Sequence, residues 1–110
     1  MPAMHVSAVS LPVGPLDAAA YFHAEIVPAI RDDSEFADDI RVLFAAADHS
    51  HGGWRREAIA ALARELAPRR VNGIVGGDRE SLAQMSEFLG DAPGVTGQIF
   101  TIDGKSGENV

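Results

Sequence analysis

The sequence contains no cysteine. This absence excludes a disulfide framework, a thiol nucleophile and thiolate metal ligands. No run of residues approaches the roughly 20 apolar positions that a membrane-spanning helix needs, and the first residues lack the basic flank and long apolar segment of a signal peptide. We therefore expect a cytoplasmic protein that does not enter a membrane.

Basic residues are also scarce. Nine lysine and arginine residues, among which Lys105 is the one lysine, stand against sixteen carboxylates, and the formal net charge is −7. A protein that follows a nucleic-acid backbone presents a concentrated basic surface, whereas the arginines of this chain lie among acids. Nucleic acid is therefore not an expected partner.

What the chain does have is enough apolar material for one core. Its 110 residues, with 46% hydrophobic content, suffice for one globular domain and are too few for two. We expect a single domain over residues 1–110, with flexible tails at 1–3 and 105–110.

Strand and helix patterns alternate along the chain. Short apolar or β-branched runs predict strands, and apolar residues spaced three or four apart predict helices. The predicted strands are 5–11, 40–47, 71–75 and 98–103, and the predicted helices run from 15 to about 31, from 56 to 66 and from 79 to about 89. This β-α-β-α-β-α-β order predicts an α/β fold, with a small four-stranded parallel sheet and crossover helices that form a partial Rossmann-like fold.

Residues 56–77 form the clearest of these units. Ile59, Leu62 and Leu66 recur on one face of a helix, and the strand that follows ends on paired glycines. If every crossover is right-handed and proceeds in one direction, all the helices share one face of the sheet. The opposite face would then be bare. Because buried parallel strands need both faces covered, we expect another chain there, most simply a second copy.

Several strings resemble the short-chain dehydrogenase/reductase family, specifically its carboxyl-terminal half. R-E-A-I-A-A-L-A-R-E-L-A-P at 56–68 is similar to the active-site helix of that family, and R-V-N-G-I-V-G-G at 70–77 resembles the strand after it. F-L-G-D-A-P-G-V-T-G-Q-I-F-T-I-D-G at 88–104 is similar to the closing helix end, turn and final strand. The resemblance implies descent from enzymes that exchange a hydride with a nicotinamide dinucleotide.

The side chains that this chemistry needs are missing where the family pattern places them. Its tyrosine and lysine positions fall on Gly52 and Arg56, and its serine falls near residues 45–47, which are alanines. Glycine has no proton to give, and a guanidinium stays protonated near neutrality. No G-x-G-x-x-G string is present to hold a pyrophosphate. The resemblance thus implies a truncated, degenerate member without a catalytic pair, for which no NAD(P) cofactor is expected.

Residues 48–53 are the best remaining candidates for chemistry, because they follow a predicted central strand and ligands bind at the carboxyl ends of such strands. The candidate ligand-binding residues are Asp48, His49, Ser50, His51, Gly76 and Gly77. A metal on His49 and His51 is a weak alternative, since an H-x-H pair lacks an evident fourth ligand, and no metal is expected. A polar loop that caps the next helix, and a tight turn at the glycines, would explain the same residues without a ligand.

Three residues are candidates for an interface. Trp54 precedes the helix at 56–66 and is expected in the core or at a subunit contact. Thr96 and Gln98 resemble a turn that lies at subunit contacts in the family.

Three functions follow from these expectations. The first is a non-catalytic domain that acts as a homo-oligomer or beside a full-length dehydrogenase. The second is a small-molecule or nucleotide binding protein, or a residual oxidoreductase, that uses the loops at the carboxyl edge of the sheet. The third is a dehydrogenase that another chain completes with a nucleotide-binding half.

Overall fold

The computed structural model describes residues 3–102. The strands are β1 (Ala3–Ala8), β2 (Asp39–Phe44), β3 (Arg70–Val75) and β4 (Ile99–Thr101), and the helices are α1 (Pro15–Tyr21), α2 (Val27–Asp33), α3 (Gly52–Leu66) and α4 (Arg79–Gly90). A π-helical turn spans Phe22–Ile26, and 3-10 turns span Ser34–Phe36 and His49–His51. The predicted alternation of strand and helix is confirmed. The tails predicted at 1–3 and 105–110 lie outside the described residues, except for Ala3, with which β1 begins.

The four strands form one parallel sheet in the order β1-β2-β3-β4. Partners in register point to the same face, so Ile40 lies between Met4 and Val71 in one cross-strand row. All four strands have their carboxyl ends at one edge of the sheet, which we call the carboxyl edge. The predicted α/β class, the parallel sheet and the partial Rossmann-like organisation are confirmed.

The core lies between one face of the sheet and the helices α1 to α3. Phe22 and Ile30 from the first helical region, and Ile59 from α3, are fully buried against this face. Gly73 lets α3 approach β3 closely, because a Cβ there would lie 3.2 Å from a ring carbon of Phe44 and 3.3 Å from a side-chain carbon of Ile59. The apolar stripe predicted on the helix of residues 56–66 is therefore the face that is buried.

The first helical region passes through Pro28, a residue type that ordinarily kinks or ends a helix. Instead, the π-helical turn Phe22–Ile26 leads directly into α2, and Pro28 occupies the first turn of α2. Proline has no N–H to donate to the preceding turn and its ring crowds that carbonyl. A wider π turn just before the proline accommodates both effects, so helical structure continues to Asp33.

The fourth helix, α4, lies on the other face, which corrects the expectation that all helices share one face. The Phe88 ring of α4 packs edge-on against Phe100 of β4, with centroids 5.9 Å apart, and Arg70 of β3 donates to the Leu89 carbonyl at 2.9 Å. Ile74, which alternates with the residues that face α3, is 1% exposed. The last crossover therefore has the opposite hand to the first two, against the usual rule for parallel strands.

The bare face predicted from sequence is thus reduced to the part over β1, because Asp39 and Arg41 of β2, which point to the same side, are buried. Ala3, His5 and Ser7 of β1 point to this side and are exposed, while Met4 and Val6 between them are partly buried. The expectation that another chain covers the sheet applies to this smaller area and stays a prediction.

A buried ionic cluster joins β2 and β3 to the end of α4. Arg41 and Arg70 both donate to Oδ2 of Asp39, at 2.7 and 2.9 Å, and Asp39 is 3% exposed. Arg70 also donates to the carbonyls of Leu89 and Ala92, at 2.9 and 2.8 Å. These contacts satisfy carbonyl groups at a helix end that have no intrahelical partner.

Three element boundaries differ from the sequence prediction near the carboxyl edge. The strands β1 and β2 end at Ala8 and Phe44, three residues earlier than expected, and α3 begins at Gly52 instead of Arg56. Paired glycines disfavour a helix, but the Trp54 side chain packs against Phe22 and Phe44 and holds the first turn in place. Tertiary packing has overridden local propensity here.

Candidate functional site

The segment after β2 forms the centre of the carboxyl edge. Asp48 is the N-cap of the 3-10 turn His49–His51, and its carboxylate accepts from the Ser50 backbone N–H at 2.9 Å and from the Ser50 hydroxyl. These hydrogen bonds hold the pKa of the Asp48 carboxyl below its usual value, the Ser50 hydroxyl having the largest effect. Asp48 and Ser50 therefore act as a cap, which was the alternative reading of this loop.

His51 is the one residue of this loop that reaches the interior, at 7% exposure. Trp54 donates its indole N–H to His51 Nδ1 at 3.1 Å, and His51 Nε2 lies 2.9 Å from the Val13 carbonyl. An indole can only donate and a carbonyl can only accept, so the imidazole is neutral with its proton on Nε2. His51 thus ties the loop after β1 to the first turn of α3.

The sequence pattern allowed both histidines of H-x-H to face one metal. The 3-10 turn separates them instead, since His49 is exposed while both ring nitrogens of His51 have protein partners. Within residues 3–102, no group of three or more histidine or acidic side chains is arranged to hold a metal ion.

The two positions to which the resemblance assigns the family's tyrosine and lysine lie at the start of α3. Gly52 is the first helical residue and Arg56 is one turn further along, so the spacing of the tyrosine and lysine positions is preserved. The Arg56 guanidinium folds back over Gly52, where an added Cβ would lie 3.0 Å from Nη1. The alanines at 45–47, where the family serine was expected, line a pocket beside this helix. The positions are present in the fold, but they carry neither a phenol nor a hydroxyl.

Two pockets open at this edge on either side of Arg55. The first, of about 300 Å³, is lined on one side by the apolar residues Val9 and Leu11. The second, of about 270 Å³, reaches Arg56 and the end of β4. Arg55 lines both, and Asp48 stands at the rim of both.

Arg55 was not among the site residues predicted from the sequence, although its place in the helix pattern was a signal. Arg55 precedes Ile59 by four residues and Leu62 by seven, so it occupies the apolar stripe of α3. A charge on the buried stripe of an amphipathic helix is unusual. The side chain is 7% exposed, and burial lowers its pKa from the ordinary arginine value.

The predicted role of Gly76 and Gly77 in ligand binding is not tested, but their conformation has another cause. Both have positive φ, at 73° and 94°, and Ile102 fills the space beside them. A Cβ on Gly76 would lie 2.7 Å from the Ile102 carbonyl oxygen. Neither glycine lines the two pockets at Arg55.

The three interface candidates all make contacts within the chain. Trp54 packs against Phe22 with ring centroids 5.5 Å apart. Thr96 accepts from the Val71 N–H at 3.0 Å through Oγ1, and the Gln98 backbone N–H donates to the Asn72 side chain at 3.1 Å. Their expected place at a subunit contact stays a prediction.

Comparison with known proteins supports the resemblance found in the sequence. A family model described as short chain dehydrogenase-like protein matches residues 6–102. No curated protein and no solved structure matches the chain. In the part of the chain from Ala3 to Ile102, no helix has both the length and the apolar character to cross a membrane. Since the match covers most of the 110 residues, the chain belongs to the short-chain dehydrogenase-like family.

Proposed function

We propose that the chain is a non-catalytic member of its family that works as a binding domain, by association with a second copy of itself or with a full-length dehydrogenase. One observation carries the non-catalytic half of the proposal. The tyrosine position is Gly52, and the guanidinium of Arg56 occupies the space that a side chain at that position would enter. The group that exchanges a proton with the substrate carbonyl in the family is therefore absent, and its neighbour is a permanent cation.

The open part of the sheet supports association. In residues 3–102, β1 has a strand on one side alone, so its outer backbone groups are available to pair with another strand. Apolar side chains are also exposed in the segment that follows β1 in the sequence, with Val13 at 93% and Leu16 at 86%. An unpaired strand edge and exposed apolar side chains are both typical of surfaces that another protein covers.

Light scattering after size exclusion tests self-association directly. We expect a dimer or larger species at micromolar concentration. Ser7→Lys, which places a charge on the exposed side of β1, should shift the native chain toward monomer. Gln84→Lys adds the same charge to an exposed position of α4 and should leave the assembly unchanged. A monomeric native chain that also fails to co-purify with a co-expressed full-length dehydrogenase would contradict the proposal.

The non-catalytic half has its own test. The double variant Gly52→Tyr/Arg56→Lys restores the family's residue types at both positions. It should still fail to oxidise NADH or NADPH with carbonyl substrates, because the sequence contains no glycine-rich pyrophosphate turn. Measurable turnover by the double variant would refute this account of why activity is lost.

A second candidate function, binding of a small molecule at the carboxyl edge, is favoured by the two pockets that meet at Arg55. Ligands bind at this edge in open α/β sheets. A ligand of the native state raises the melting temperature by mass action, so a thermal-shift screen tests this candidate independently of association.

A further inference from the structure

The guanidinium of Arg55 is a buried charge without a partner of opposite sign. Its Nη1 donates to the Ala45 carbonyl at 3.0 Å. Its Nε is buried and has no hydrogen-bond acceptor among the described residues. Among residues 3–102, the carboxylate ion pairs involve other arginines, and none includes Arg55.

Such an arrangement is costly unless something completes it. A buried unpaired charge or donor destabilises the folded state, and arginine cannot escape by losing its proton. Aromatic rings offset part of the cost, since the guanidinium carbon lies 4.7 Å from the centre of the Phe44 ring and 5.8 Å from that of Trp54. These rings and the Ala45 carbonyl hold the guanidinium in one place, but they supply no acceptor for Nε.

The guanidinium lies beside a cavity suited to a small molecule. The first pocket has a volume of about 300 Å³ and a wall of short apolar side chains, which are Ala8, Val9, Leu11, Ala45 and Ala46. The first turn of α3 is at the same edge, and the positive end of a 15-residue helix favours an anion. Asp48 at the rim has the opposite effect, because its negative charge repels one.

We propose that Arg55 binds the carboxylate of a small organic acid, whose apolar part lies against the alanine, valine and leucine side chains of the first pocket. A guanidinium recognises a carboxylate through parallel N–H donors, and a carboxylate in the pocket would supply the charge of opposite sign that Arg55 lacks. Phosphate offers the same oxyanion chemistry but has no apolar part to use this wall. The inference rests on the second candidate function and names its ligand class.

Butyrate and butyramide separate charge recognition from simple filling of the pocket. Trp54 is the one tryptophan of the chain and packs near Arg55, so its fluorescence reports on this pocket. Butyrate should change the Trp54 emission saturably and raise the melting temperature, whereas the neutral isostere butyramide should do neither. Inorganic phosphate should bind at least about tenfold more weakly than butyrate. Equal responses to butyrate and butyramide, or no response to butyrate, would overturn the proposal. Phosphate binding more tightly than butyrate would overturn the assignment to an organic acid.

Three variants test whether Arg55 is the residue that binds butyrate. Arg55→Gln should weaken butyrate binding by about tenfold or more, because a charge-assisted pair is lost. Arg64→Gln removes the same charge from an exposed position of α3 and should leave binding unchanged. Asp48→Asn keeps a capping side chain and should tighten binding about two- to fivefold, because a like charge is removed from the rim.

If Arg55→Gln does not fold, the Asp48→Asn and Arg64→Gln results decide. Unchanged affinity in Asp48→Asn, or an equal loss in Arg64→Gln, would contradict the proposal.

Failure here is distinguishable from failure of the proposed function. Turnover with NADH or NADPH would refute the non-catalytic account whether or not butyrate binds. Absence of butyrate binding, with no turnover and a stable assembly, would remove Arg55 as an anion site and leave the association proposal in place.

Discussion

Residues 70–102 and residues 45–56 relate to the family pattern in opposite ways. The first region keeps strings that resemble the family, and the second has alanines, a glycine and an arginine where the resemblance places the family's serine, tyrosine and lysine. In the first region, Gly73 and Gly76 have neighbours within 3.3 Å of where a Cβ would be. In the second, Gly53 has no neighbour within 4 Å, Gly52 meets the far end of the Arg56 side chain, and the alanines at 45–47 border an open pocket.

This comparison separates residues that are fixed by packing from residues at positions that serve catalysis in the family. Asn72 shows the first kind of constraint, since its side chain donates to the Val95 carbonyl at 3.0 Å and accepts from the Gln98 N–H at 3.1 Å. Such residues are needed for folding whatever the protein does. Gly52 shows the second kind, because nothing in the packing demands a tyrosine there. A chain of this family can therefore keep the scaffold whether or not it keeps the activity.

The largest expected effect comes from filling the space beside Gly76. Gly76→Val places a β-branched residue at φ 73°, with its Cβ against the Ile102 carbonyl. Backbone strain and overpacking together should lower the free energy of unfolding by about 4 kcal/mol. Urea denaturation measures the loss. Gly94→Ala, where no atom lies within 4 Å, is the matched control and should change stability by less than about 0.5 kcal/mol. Equal stability of the two variants would show that this turn is not fixed by packing.

Removal of the Asp39 carboxylate should come next in size. Asp39→Ala leaves Arg41 and Arg70 without their shared acceptor in a buried site, which should cost about 3 kcal/mol. Glu57→Ala removes the exposed partner of Arg64 and should cost less than about 1 kcal/mol. Both are measured by denaturant unfolding. Similar losses in the two variants would contradict a special role for the buried cluster.

A substitution at Gly53, within residues 45–56, tests the opposite expectation, that an added side chain is tolerated there. Gly53→Ala replaces a poor helix former in the first turn of α3 at a position with open space, so it should raise the free energy of unfolding by about 0.5 to 1 kcal/mol. Thermal unfolding detects such a change. A loss of stability would mean that residues 52–56 are constrained by packing as tightly as residues 70–77.

The smallest expected effect is a pH dependence at His5. Partial desolvation of the His5 ring, which stays largely exposed, and next the positive charge of Arg41 hold the pKa of His5 below its ordinary value, while Asp39 acts in the opposite direction. The unfolded chain then binds more protons than the folded one, so stability should fall as pH is lowered from about 6.5 toward the folded pKa. His5→Asn should flatten this slope in unfolding curves between about pH 7.5 and pH 5.5. A steeper slope in the variant would reverse the assigned sign.

The sequence predicted the architecture because its signals were periodic and local. Alternating strands and helices gave the parallel sheet, and α4 begins at Arg79, as the pattern predicted, after the N-cap Asp78, whose carboxylate accepts from the Ser81 N–H at 2.8 Å. The sequence strings that resemble the short-chain dehydrogenase/reductase family predicted the family relationship. The face on which α4 packs could not be derived, because the rule for crossover handedness holds statistically and this chain departs from it at one crossover.

The candidate site was predicted in part. Residues 48–51 do lie at the carboxyl edge, and a capping loop was one of the two readings of them, but the sequence could not choose between the readings or show that His51 is bound on both ring nitrogens. The contact of His51 with Val13 could not be predicted because it joins residues that are 38 positions apart. Arg55 was missed because its importance depends on burial and on an absent partner, which a periodicity search aimed at apolar residues does not score.

Trp54 fluorescence provides the most direct test of whether the chain keeps the fold of its family without binding the dinucleotide. It lies two residues from the family's tyrosine position, so a reduced nicotinamide seated there would accept excitation energy from it. Titration with NADH and NADPH should give no saturable energy transfer, and carbonyl substrates should cause no oxidation of either dinucleotide. Saturable transfer, accompanied by substrate-dependent oxidation, would show that the chain still performs the reaction of its relatives and would contradict the account.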